Sequence, residues 1–251
     1  MKTAFITGAT SGLGAEFAKR YAQQGYKLIL TGRRTQRLVA LKEELLVECR
    51  IITADVSDEE QCKKLLTDVS DEKIDVFINN AGFGTAGNFL ETDLEKEISI
   101  IKVNDVAMHI LFKGILKKMN KQGFGTILNV ASSAGLLPGG PYMATYYASK
   151  AYVVSITRAV ARELKELGSK VHVCCLCPGP VDTEFNENAD VTFALNGISA
   201  RRCVDECLKG MDKKKTVIIP THRMKAAIFF GKLVPNALMV AMTGGQQKKK
   251  L

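Results

Sequence analysis

An apolar segment, Lys2 to Thr7, runs straight into Gly8-Ala9-Thr10-Ser11-Gly12-Leu13-Gly14, and this junction limits the possible folds more than any other stretch. Glycines where a strand becomes a helix let the backbone approach a ligand closely, and the helix beyond them offers unpaired N–H groups to a pyrophosphate. Gly8, Ser11, Gly12, Leu13 and Gly14 are therefore expected to cradle a dinucleotide. The Gly-x-x-x-Gly-x-Gly spacing departs from the commoner Gly-x-Gly-x-x-Gly, so the argument leans on position: first strand before it, first helix after it.

The rest of the chain repeats that alternation. Strands are expected at Tyr26 to Thr31, Arg50 to Ala54, Ile74 to Ile78, Thr126 to Val130, Val171 to Cys177 and Thr216 to Ile219. Helices are expected between them, including one long helix from Leu94 to Met119 and another from about Tyr146 to Leu167. Such alternation implies an α/β fold whose parallel sheet binds ligands at its carboxyl edge. Asp55-Val56 and Asn79-Asn80 fall on that edge, as do Ser132 and the Val181-Asp182-Thr183 segment. The 251 residues fit one domain over 1–251, with a substrate lid at about 183–200 and an apolar helix with a basic tail at about 221–251.

Charge and cysteine usage exclude several classes. The formal net charge is +9, but the cations are mostly scattered and no nucleic-acid motif accompanies them, so nucleic acid is not an expected partner. Met1 to Gly8 leaves no room for a secretory apolar region, which points to the cytoplasm. Cys174, Cys175 and Cys177 alternate across a strand and cannot surround one metal ion, and Cys203 and Cys207 have no His or second Cys pair beside them. Buried reduced thiols are expected, and no metal site. Lys225, Lys232, Pro235 and Asn236 interrupt the apolar stretch from Met224 to Met242, so core cover or a subunit contact is expected there ahead of membrane attachment.

Chemistry enters at Tyr146-Tyr147-Ala148-Ser149-Lys150. A phenol and an ammonium four residues apart share a helix face, and the ammonium lowers the cost of ionising the phenol. Tyr146 is then a usable proton donor, with Ser132 steering a carbonyl oxygen towards it. Asn104, a poor helix residue at mid-helix, either ties a backbone carbonyl or takes part in the chemistry. At the other end, Gly32-Arg33-Arg34 stands where NAD-binding chains carry an acid for the ribose; two guanidinium groups there suit a 2′-phosphate, so NADPH is expected ahead of NADH.

Over about the first 200 residues these motifs together resemble the short-chain dehydrogenases/reductases: Thr7 to Gly14, Asp55, Asn79 to Gly82, Asn104, Ser132, Tyr146 with Lys150, and Pro178 to Thr183. The resemblance implies a Rossmann-like doubly wound fold, with seven parallel strands, helices on both faces and assembly as a homodimer or homotetramer. It implies hydride transfer between NAD(P) and a carbonyl or alcohol, with a tetrad in which Tyr146 gives the proton and Ser132 holds the oxygen. Lys150 would hold the nicotinamide ribose and depress the tyrosine, while Asn104 would anchor a water. The family's usual Ser-to-Tyr spacing of thirteen selects Ser133, whereas Asn129 and Gly135 flanking at three residues select Ser132, which is preferred.

The chain thus reads as an NADPH-dependent reductase of an apolar ketone or aldehyde. Phe83, Leu136, Leu137, Met143, Phe185 and Phe193 are the candidate substrate lining. Two rivals stand beside it: an NADP-binding redox sensor without turnover, and a membrane-surface reductase of lipid-derived ketones.

Overall fold

All five residues of β1 (Thr3–Thr7) are buried, as befits the centre of a parallel sheet covered on both sides. In this computed structural model, which describes residues 1–185 and 197–248, β1 lies between β2 (Lys27–Gly32) and β4 (Val76–Asn79). With β3 (Cys49–Thr53), β5 (Gly125–Val130), β6 (Val171–Leu176) and β9 (Val217–Ile218), the order is β3-β2-β1-β4-β5-β6-β9, every pairing parallel. The order reverses beside β1, and a crevice opens there at the carboxyl edge.

Side chains alternate between the two faces, as period two requires. Phe5, Ile29, Phe77 and Ile127 lie in register and face one core, with α3 (Glu59–Asp68), α5 (Met108–Gln122) and α6 (Ala144–Glu166) against them. Ala4, Ile6, Leu28, Leu30 and Ile78 face the other, packed on α1 (Gly12–Gln23), α2 (Thr35–Leu45) and α7 (Ala200–Asp212). Cys174 belongs to the second core while Cys175 and Cys177 belong to the first, and all seven cysteines are buried and free. Burial pushes the Cys203 thiol up to about 12.

Three expectations need correction. The long helix is α4 (Leu94–Ile101) and α5 joined through a π-helical segment, Lys102–Ala107, with Asn104 inside it. The C-terminal apolar stretch is two helices, α8 (His222–Gly231) and α9 (Asn236–Lys248), because Pro235 denies the helix an N–H and disfavours helical backbone before it. Core cover also fails for much of that pair: Phe229, Phe230, Leu233, Leu238 and Met242 are exposed, and only Ile228 and Met239 among its large apolar residues are buried. The chain after β6 forms a small separate ladder, β7 (Val181–Asp182) on β8 (Ile198–Ser199). Most of the expected lid, with Phe193, lies outside the described residues.

Candidate active site

The glycine turn is held from below by Asn80. Its side-chain amide donates to the carbonyls of Thr7 (2.9 Å) and Gly8 (3.2 Å), and its own N–H donates to Thr7 Oγ1 at 2.9 Å. A Cβ on Gly14 would collide with the Gly8 carbonyl, so helix and strand approach as closely as they do only with glycine there. No side chain caps α1 at Ser11 and no acid occupies its first turn, which leaves that end electropositive towards the cleft.

Arg33 and Arg34 are placed differently from one another. Arg33 is exposed and its Nη1 stands 3.8 Å from Asp55. Arg34 Nη2 donates to Thr10 Oγ1 (3.1 Å) and Ser11 Oγ (3.0 Å), and Nη1 donates to Glu184 (3.2 Å). Arg37 grips the same Glu184 at 2.7 Å, and these arginines, Arg37 foremost, hold its carboxyl below its usual range. Arg37 and Glu184 were not foreseen, since residues 147 apart in sequence carry no local signal. Gly32 is the other informative residue: a Cβ there would come within 2.8 Å of Thr10 Cγ2, so a side chain at 32 must displace Thr10.

At the far end Tyr146 and Lys150 lie one turn apart on α6, both buried. Lys150 Nζ donates to the Val130 carbonyl at 3.1 Å and sits 5.7 Å from the Tyr146 ring centre. Asn104, 1% exposed, donates from Nδ2 to the Phe83 carbonyl (2.9 Å) and to Ser149 Oγ (3.0 Å), and accepts from the Phe83 N–H (3.1 Å). Ser149 in turn donates to the Tyr146 carbonyl at 2.8 Å. The amide therefore ties the loop after β4 to the first turn of α6. Of the two readings of Asn104, the backbone tie is the one its side chain makes.

Burial sets the proton affinities. It pushes the Tyr146 phenol up to about 12, and the opposing pull comes from a hydrogen bond with Ser132. Desolvation is the largest influence on the phenol, and the influence that lowers it is Ser132 rather than the expected Lys150. Lys150 itself is pushed down to about 8 by burial, against the attraction of Asp105. Asp105 is pushed up to about 6, again by burial, with Lys150 pulling it back. Ser132 and Ser133 both line the cleft; Ser132 Oγ accepts from the Ala134 N–H at 3.1 Å and stands 3.5 Å from the Pro178 carbonyl.

One continuous cleft of about 750 Å³ joins the two ends, and the expected coenzyme residues, including Val56, Val181 and Thr183, line it, except Gly14, which packs behind it against the Gly8 carbonyl. Phe83, Leu137, Met143 and Phe185 face it as expected, whereas Leu136 packs on the core instead. Its outer wall comes from α8 and α9 through Ile228, Met239 and Met242. Two side-chain hydrogen bonds tie α9 to α6 and the loop before it: Thr243 Oγ1 donates to the Gly139 carbonyl at 2.9 Å, and Gln247 Nε2 donates to the Tyr147 hydroxyl at 2.6 Å. Gln247 escaped the sequence reading because it stands in what looked like a polar tail.

Residues 2–193 match the family described as short chain dehydrogenase. An oxidoreductase of Staphylococcus epidermidis is 34% identical over 192 residues, covering 75% of this chain and 82% of its own. A short-chain dehydrogenase from Sphingobium yanoikuyae in complex with NADPH superposes with a TM-score of 0.84 at 29% identity, covering 93% of this chain and 94% of that one. A short chain dehydrogenase/reductase from Burkholderia phymatum in complex with NAD gives a TM-score of 0.83 at 26% identity, covering 91% and 92%.

Proposed function

Because the chain belongs to the short-chain dehydrogenase family, whose members are oxidoreductases, we propose that it reduces an apolar ketone or aldehyde with NADPH, reversibly. The observation that carries this reading is a buried phenol at the apolar end of the cleft, with the Ser132 hydroxyl lining the same cleft and an ammonium one helical turn away. Burial keeps the phenol in its neutral form, the form that carries a proton to give. Tyr146 gives its proton to the carbonyl oxygen and Ser132 holds that oxygen in place. Lys150 and Asn104 fix the geometry: Lys150 through Val130, Asn104 through Phe83 and the first turn of α6.

The residues present fit a dinucleotide. Gly8, Ser11, Gly12 and Leu13 would hold its pyrophosphate, with Gly14 letting the helix close up behind them, Asp55, Val56 and Asn80 its adenosine side, and Tyr146, Lys150, Val181 and Thr183 its nicotinamide side. The chemistry such a group supplies when bound is hydride donation to the carbonyl carbon. NADP over NAD is supported by Arg33 and Arg34, and by the contact of Gly32 with Thr10 that disfavours an acid at that position. Wild-type protein incubated with NADPH and a panel of ketones and aldehydes is expected to oxidise the coenzyme with at least one of them. Coenzyme binding without turnover across chemically diverse carbonyls would favour the redox-sensor reading instead. Arg33→Ala is expected to weaken NADPH by about 1.5–3 kcal/mol, the value of a charged hydrogen bond, and NADH far less. Equal losses for the two would remove the phosphate role. Assembly as a homodimer or homotetramer belongs to the same reading and is checked by sedimentation velocity.

A further inference from the structure

Helices α8 and α9, joined through residues 232–235, make a helical hairpin that leaves large apolar side chains in solvent beside its cations. Phe229 and Phe230 are each 63% exposed, Leu233 is 72%, Leu238 54% and Met242 51%. The two phenylalanine rings pack edge-on against each other, 5.5 Å apart. Large apolar side chains left exposed together on two consecutive helices mark an interaction site. Its charges are all of one sign: Arg223, Lys225, Lys232 and Lys248 stand on the hairpin, and from Lys213 to the last residue there is no aspartate or glutamate. A neighbouring carboxylate, Glu206, accepts from the Thr221 N–H at 2.7 Å and faces Arg202 at 3.4 Å.

That combination selects the occupant. A second copy meeting this face about a two-fold axis would set cations against cations. A bilayer bearing anionic headgroups takes the aromatic and aliphatic side chains into its interface and pairs the cations with phosphates. No helix among the described residues is long and apolar enough to cross a membrane, so the contact is peripheral. We propose that the α8–α9 hairpin docks the protein on an anionic lipid surface. Met242 is half exposed on the hairpin and also lines the cleft, so the docked surface lies at the cleft's mouth.

The test uses the full chain and sedimentation with phosphatidylcholine vesicles, with and without about one third phosphatidylglycerol. Wild type is expected to sediment with the anionic vesicles, and to be released by high salt. Arg223→Gln and Lys232→Gln are each expected to weaken binding about fivefold, the equivalent of about 1 kcal/mol per cation. Phe229→Ser combined with Phe230→Ser is expected to weaken it more than tenfold. None of these four residues lines the cleft, so turnover of a water-soluble carbonyl monitors folding and separates failure here from failure of the proposed reaction. Absence of sedimentation, equal binding to both vesicle types, or unchanged binding by both sets of variants would each overturn the proposal. So would a fall in molecular mass of the double phenylalanine variant with vesicle binding intact, which would assign the face to a second copy.

Discussion

The two walls of the cleft are built on opposite principles. The inner wall is the sheet edge, where buried amides specify the geometry: Asn79 donates to the Met108 carbonyl and to Asn129, Asn129 to Thr157, and Asn104 clamps Phe83. Each of these groups would be costly to leave unpaired, so the arrangement has few alternatives. The outer wall, α8 and α9, is anchored at few points and leaves large apolar side chains in solvent. A rigid wall suits proton and hydride chemistry, which tolerates little misplacement, and a lightly anchored wall suits admission of differing apolar molecules.

The largest effect should come from the inner wall. Tyr146→Phe is expected to lower kcat about 10²–10⁴-fold on any verified carbonyl while leaving coenzyme affinity nearly unchanged, measured by turnover and by fluorescence titration. Wild-type kcat in this variant would remove Tyr146 from the reaction. Asn104→Ala strips partners from the Phe83 N–H and carbonyl and from Ser149, and should cost about 2–4 kcal/mol in denaturant unfolding with the slope unchanged. Asp105 gives a pH signature of the same wall. Its folded pKa of about 6 lies above the ordinary 3.8, so between those values the native state holds more protons than the unfolded state, and stability falls as pH rises. Asp105→Asn should abolish that slope and, discounted for partial exposure and for the lost attraction to Lys150, raise stability at pH 7 by about 1 kcal/mol. The smallest effect belongs to the outer wall: Gln247→Leu should cost about 1 kcal/mol and raise amide exchange in α9 more than in α6. Equal exchange in both helices would mean that the two walls are coupled more tightly than their contacts suggest.

This contrast also marks what could be read from the chain itself. The inner wall was legible because each of its parts is local: a glycine turn after a strand, an Asn at a strand end, a Tyr and a Lys one helical turn apart. The seven-stranded sheet followed from alternation of strand and helix patterns. What escaped depends on distant contacts. Arg37 with Glu184, Gln247 with Tyr147, and Gly32 with Thr10 each join elements whose approach no periodicity encodes. The π segment around Asn104 escaped because its apolar spacing passes for an ordinary helix, and the exposed phenylalanines of α8 escaped because composition does not tell an inward apolar face from an outward one.

The tight fit of Gly32 under Thr10 bears on how such a chain could change its coenzyme over generations. A Gly32→Asp change made by itself would push against a methyl group that Arg34 holds in place through the neighbouring hydroxyl. Thr10→Ser, which keeps the hydroxyl and removes the methyl, is expected to ease the entry of an acid at position 32, so the residue that decides what position 32 can carry lies twenty-two positions away on the glycine turn.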